Sequence, residues 1–252
     1  MKDFTLEKYN NLLSSLSSSD YAFETFEGCL SQPKQRTIIL RHDVDLLPYN
    51  SLRFAQIQAE HNIKGTYYFR AVPQSWDEKV IKQIHELGHE VGYHYECLTT
   101  TKGDLKKGIA DFERNLEKLR KLAPVSTICM HGSPLSKHDS KDLWKHFNYH
   151  DFGIIGEPYF DVDFKKVFYL TDTGRKWDGD KVSVRDRVDS GFDLSFHTTD
   201  EIIAAAKAHQ LPHQIMFTFH PQRWNDDKIK WSKELLMQNA KNLIKRLIVK
   251  RR

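Results

Sequence analysis

The chain has 252 residues, 39% of them hydrophobic. That is enough for one substantial core, and lengths near this are routine for a single α/β barrel, so residues 1–252 are read as one domain. Thirty-eight Lys and Arg stand against 34 Asp and Glu, a formal net charge of +4. The signs interleave except in the tail KRLIVKRR (Lys245–Arg252), which reads as a solvated helix end, so neither nucleic-acid binding nor membrane insertion is expected. Three cysteines at unrelated spacings do not suggest a disulfide framework, the N-terminus lacks the apolar core of a signal peptide, and no apolar run reaches the roughly 18 residues of a membrane span; a cytosolic, cytoplasmic setting is expected.

The elements alternate along the chain. TIILRH (37–42) predicts a first strand, Asn50 to His61 a helix and GTYYFR (65–70) a second strand. DEKVIKQIHELG puts Val80, Ile81, Ile84 and Leu87 on one helical face before a capping Gly88, and HEVGYH (89–94) follows as a third strand. Asp104 to Leu122 carries apolar residues at helical spacing and leads into VSTICMHG (125–132). KVFYLTDTG (166–174), FDLSFHTT (192–199) and QIMFTFHP (214–221) predict further strands. A helix is predicted from Thr199 to Ala208 behind a Thr198/Glu201 capping box, and a last one from Trp231 to Val249.

Strands alternating with helices imply a mainly parallel sheet, in which the C-terminal strand ends share one face and build the ligand site. Seven imidazoles and carboxylates occupy such ends here: His42, Asp43, Asp45, His94, His131, Asp172 and His220. A lone His at a strand end is more often a hydrogen-bonded structural residue, as His85 and His89 are read, and Asp43 and Asp45 also suit a turn before Pro48. Several strand ends offering His or Asp together favour a zinc-like divalent ion with an open position for a reactive water.

RHDVD (41–45), GHEVGYH (88–94), MHGSP (130–134) and FTFHP (217–221), in this order, resemble the polysaccharide deacetylase family with the NodB-homology domain, carbohydrate esterase family 4. The likeness spans about residues 36–224 and is nearest a subgroup opening on RHDVD and associated with bacterial surface polysaccharide or O-antigen assembly. It implies a distorted (β/α) barrel, often seven-stranded, and metal-dependent removal of acetyl groups from N-acetylated or O-acetylated sugars, nucleotide-linked sugars included. By position Asp43 would be the general base, Asp45 and His94 metal ligands, and His220 the general acid. The family's second histidine is absent, since position 98 is Leu98; His131 is the preferred third ligand, with Glu96 and Cys97 as alternatives. No Arg lies in HGSP to orient the base, a task open to His131, Arg41 or Arg70. Zinc is the expected ion, with cobalt, iron or nickel acceptable, and Asp172, Arg175, Trp177 and Trp224 are expected to contact the sugar. Oligomeric state is left open. Two other readings stand beside this one: a glycosyltransferase using Asp43-x-Asp45 for a metal and nucleotide sugar, and a carbohydrate-binding pseudoenzyme; an HD phosphohydrolase is weaker, because such pairs sit on helices.

Overall fold

A computed structural model describes residues 2–133, 136–177 and 188–249, with side chains described as far as residue 243. In chain order the elements are α1 (Leu6–Ser17), β1 (Ala22–Glu24), α2 (Phe26–Ser31), β2 (Thr37–Val44), α3 (Pro48–Glu60), β3 (Thr66–Phe69), α4 (Glu78–Glu86), β4 (Glu90–Tyr95), the short α5 (Cys97–Thr100), α6 (Leu105–Arg120), β5 (Ile128–Met130), the short α7 (Pro158–Asp161), β6 (Phe168–Thr171), α8 (Thr199–Lys207), β7 (Gln214–Phe219) and α9 (Lys228–Val249).

Every strand pairing is parallel. The order is β5-β4-β3-β2-β7-β6, with β1 beside the first half of β2, seven strands in all. Helices wrap the sheet, so this is the expected α/β barrel architecture. Among the described residues β5 and β6 do not pair, and the barrel is a half-barrel with an open side.

Two packed faces result from strand alternation. Ile38, Leu40 and Val44 of β2 face outward into the main core with α1, α3 and the aromatic residues of β3 and β7. Ile39, Tyr68, Cys129 and Met216 face inward and form a smaller cluster with Phe26 and Phe164. Gly92 has a steric reason: a Cβ there would stand 2.3 Å from the Tyr68 ring, which fills the barrel at that level.

The chain departs from the predicted elements at residues 192–196 and before residue 37, and in the short α5 and α7. Residues 192–196 form no strand; Phe192 and Phe196 pack on Phe168 at ring distances of 5.3 and 6.2 Å. The seventh strand is instead β1. The unpredicted helix α1 buries Leu6, Tyr9, Leu12, Leu13 and Leu16. Thr198 does cap α8 by accepting from the Glu201 N–H at 3.2 Å, while the Glu201 carboxylate accepts from the His197 N–H at 2.6 Å, one residue short of a reciprocal capping box. No helix among the described residues is long and apolar enough to cross a membrane.

Candidate metal centre

In-register parallel pairing brings the strand ends to one rim. His42 pairs with Tyr67 and Phe219, and His94 with Cys129, so the residues that leave β2, β4, β5, β6 and β7 emerge together. On β2 the period of two sends Arg41 and Asp43 inward, and Asp45 follows just past the strand. Arg41 is buried and grips Asp43 through Nε to Oδ1 at 2.8 Å and Nη2 to Oδ2 at 2.7 Å. A planar guanidinium that occupies both carboxylate oxygens fixes the orientation of Asp43 more firmly than a single bond does.

His42 points the other way. Its Nδ1 donates to the Thr66 carbonyl at 3.0 Å, its Nε2 accepts from the Gln58 amide at 2.9 Å, and the ring stacks on Tyr67 at 4.1 Å. Burial holds its pKa down at about 3, a neutral core imidazole. Expecting it in the pocket is corrected by the same alternation that puts Asp43 there.

Asp45, His94 and His131 each direct one ligand atom into a common space, all within 4.8 Å of one another. Asp45 Oδ1 lies 3.6 Å from His94 Nε2 and 3.5 Å from His131 Nε2. These separations exceed a hydrogen bond, and Asp45 Oδ1 is a buried oxygen with no hydrogen-bond partner. Both imidazoles are anchored through the other nitrogen: His94 Nδ1 donates to the Cys129 carbonyl at 2.9 Å, and His131 Nδ1 to the Glu96 carboxylate at 3.0 Å. Arg70 in turn holds Glu96 with Nε and Nη2 at 2.9 and 3.0 Å. Fixing Nδ1–H leaves the Nε2 lone pairs turned towards Asp45, the arrangement by which proteins present histidine to a metal. The donor set, one carboxylate and two imidazoles around an unpartnered buried oxygen, fits a divalent ion.

Glu96 thus stands behind His131, and Cys97 lies fully buried in the apolar core, its thiol pushed up to about 12 by burial. Leu98 is likewise packed in the core. A deeper grouping, Asp43, His94 and Cys129, also has its ligand atoms within 4.8 Å. It suits a metal less well, because both Asp43 oxygens already accept from Arg41.

His220 closes the rim opposite. Its Nδ1 meets Asp172 Oδ1 at 2.6 Å, and its Nε2 lies 3.9 Å from Asp45 Oδ2. Asp172 is fully buried and also accepts from the His220 and Arg223 N–H groups at 3.0 and 2.8 Å and from the Trp224 indole at 2.7 Å. This geometry corrects the expected sugar contacts. Asp172 is an anchor for His220. Arg175 donates to the Trp231 carbonyl at 2.9 Å, Trp177 to Thr199 at 2.9 Å, and Trp177 and Trp224 are 4% and 1% exposed within one aromatic cluster. No indole face among them is open to a ligand. Leu47 and Tyr49, 54% and 64% exposed on the segment leaving Asp45, are the apolar groups the motifs do not reveal.

The charges reinforce one another. Burial would raise the Asp45 carboxyl, but His94, His131 and His220 outweigh it and hold Asp45 well below the usual range. Burial disfavours a His94 cation, yet Asp43 and Asp45 bring its pKa above the ordinary value. For Glu96 burial raises and the contacts with His131 and Arg70 lower, with a net lowering.

No protein-family model matches the chain, and no curated protein matches it. Among solved structures it is similar to a CE4 family pseudoenzyme from Bacillus anthracis, at 13% identity and a TM-score of 0.44, covering 84% of this chain and 62% of that one. It is similar to a Streptococcus mutans CE4 esterase at 13% identity and a TM-score of 0.45, covering 87% and 84%. The Bc1960 peptidoglycan N-acetylglucosamine deacetylase matches at 14% identity and a TM-score of 0.43, covering 90% of each chain. The chain spans 62–64% of the length of the pseudoenzyme structures it matches.

Proposed function

We propose that the protein is a metal-dependent hydrolase that removes acetyl groups from an N-acetylated or O-acetylated sugar or polysaccharide precursor, with Asp45, His94 and His131 as metal ligands, Asp43 as general base and His220 as general acid. The observation that carries this reading is the unpartnered Asp45 Oδ1 facing the Nε2 atoms of two anchored imidazoles, 3.6 and 3.5 Å away. Zinc suits the mixed nitrogen and oxygen donors, with cobalt, iron or nickel as substitutes. When bound, the ion would acidify a water and polarise the acetyl carbonyl.

The chain's own groups then supply the proton steps. Asp43, held by Arg41, takes a proton from the attacking water, whose oxygen bonds to the acetyl carbon. As the bond from that carbon to the sugar nitrogen or oxygen breaks, His220 gives a proton from Nε2 to the leaving atom, its ring held by Asp172. Acetate and the free amine or hydroxyl result. The exposed Tyr49 and Leu47 beside Asp45 offer the sugar an apolar face.

An Asp-x-Asp glycosyltransferase is not favoured, because Asp43 is locked to Arg41 and Asp45 faces two imidazoles. A role in surface polysaccharide or O-antigen assembly is part of the proposal and rests on the RHDVD likeness. The test is metal analysis of the purified protein with an acetate-release assay on N-acetyl, O-acetyl and nucleotide-linked N-acetyl sugars. Bound metal with acetate release supports hydrolysis; sugar binding without either supports a pseudoenzyme.

A further inference from the structure

Helix α9 is amphipathic in the reverse sense. A surface helix of a soluble domain normally turns its apolar stripe to the core. In α9 the fully described buried positions are Gln238 and Asn242, 4% and 5% exposed, with Trp231, Glu234 and Leu235 partly buried on the same side. That side is held by polar contacts: Asn242 donates to the Gly174 carbonyl at 2.8 Å, Gln238 to Asn242 at 2.8 Å, and Arg175 to the Trp231 carbonyl at 2.9 Å. Ile229, Leu236 and Leu243 recur every seven residues, nearly two turns, on the opposite side, and are 80%, 71% and 63% exposed. Met237, 41% exposed, widens the stripe.

The lysines around this stripe choose its partner. Lys228 borders it on one side, Lys230 and Lys241 lie beyond Met237 on the other, and Lys233 stands within it between Ile229 and Met237; all four are exposed, and the single acidic residue of the helix up to residue 243, Glu234, is on the half-buried side. Two copies of the chain meeting along the stripe would set lysines against lysines, which opposes self-association. Exposed Leu and Ile bordered by Lys are the composition of helices that lie in the interface of an anionic bilayer, apolar face among the acyl chains and ammonium groups at the phosphates.

We propose that α9 docks the protein peripherally on an anionic lipid surface through Ile229, Leu236 and Leu243, with Lys228, Lys230, Lys233 and Lys241 pairing to lipid phosphates. The helix lies on such a surface and does not span it.

The test uses the full chain and sedimentation with vesicles of phosphatidylcholine, with and without about 30 mol% phosphatidylglycerol. The native protein is expected to partition onto the anionic vesicles and to remain in solution with the neutral ones. The triple variant Ile229→Gln, Leu236→Gln, Leu243→Gln keeps every charge, so it separates docking by the stripe from diffuse attraction to a basic protein. Its partition coefficient is expected to fall at least about tenfold, with an unchanged melting temperature. Equal partitioning of native and triple-variant protein overturns the proposal, as does a native protein that ignores anionic vesicles. A native dimer that becomes a monomer in the triple variant, measured by light scattering, also overturns it and assigns the stripe to a second copy.

Discussion

Arg41 and Asp43 stand two residues apart on the inward face of β2 and meet through a two-pronged contact at 2.8 and 2.7 Å. The residue that orients the proposed base therefore comes from the base's own strand, and both are buried. Arg41→Lys is expected to lower kcat about 10²-fold while leaving metal content unchanged, because an ammonium cannot span both oxygens. Arg41→Met breaks a buried pair outright and is expected to destabilise the fold by about 3–5 kcal/mol. An Arg41→Lys enzyme with native kcat would remove Arg41 from the positioning role.

The contact from Arg70 through Glu96 to His131 makes a second, graded prediction. Glu96→Gln is expected to weaken metal affinity about 10–100-fold, since the Nδ1–H of His131 then loses its charged acceptor. His131→Ala should weaken it at least as much, and Cys97→Ser, deep in the core, should not alter it. Competition with a chelating dye ranks the three variants. Metal lost from Cys97→Ser but kept by His131→Ala would reverse the ligand assignment.

His220 and Asp172 act as a pair, the ring being held at 2.6 Å. His220→Ala is expected to lower turnover by about 10²–10⁴ with a full equivalent of metal still bound. Asp172→Asn keeps the ring but alters the proton at Nδ1, so the pH profile of kcat should shift while metal content holds. Unchanged activity in His220→Ala would mean another group delivers the proton.

Acid should unfold the protein in a way His42 and His89 predict. Burial holds both neutral in the folded state, with pKa values of about 3 and about 4, whereas the unfolded chain takes up protons near the ordinary histidine value of 6.5. Lowered folded pKa values mean stability that is full above pH 6.5 and lost as pH falls through the folded values. Each residue contributes a slope of about 1.4 kcal/mol per pH unit between roughly pH 4 and 6. His42→Gln should remove one proton's worth of that slope in urea titrations run across this range. An unaltered slope would show that His42 is not the buried neutral imidazole described.

Much of this site is legible in the sequence because parallel strands end together and alternate with a period of two. Asp43, Asp45, His94, His131 and His220 all occupy the rim that the motifs indicate. Parity alone also separates His42 from Arg41 and Asp43, a signal available at residue level and stronger than the clustering of polar letters. The fates of Trp177 and Trp224 are not legible, since an aromatic beside a motif packs or lies open according to neighbours distant in sequence: Phe4 for both, and Phe217 and Phe219 for Trp177. Glu96 reads as a spare ligand until the fold puts Arg70 on its far side. The strand expected at residues 192–199 does not form, and the packing of Phe192 and Phe196 on Phe168 is not legible in its alternating letters; α1 escapes notice although Leu6, Tyr9, Leu12, Leu13 and Leu16 follow a helical period.

The most direct measurement is metal stoichiometry after exhaustive dialysis of native protein, Asp43→Asn and Asp45→Asn, by plasma mass spectrometry. Asp45 Oδ1 faces both anchored imidazoles, whereas both Asp43 oxygens are held by Arg41. One equivalent of a divalent ion is expected in native protein and Asp43→Asn, the latter with most turnover lost, and none in Asp45→Asn. A native protein empty after loading with zinc, or an Asp45→Asn protein that keeps its full equivalent, would contradict a metal centre built on Asp45, His94 and His131.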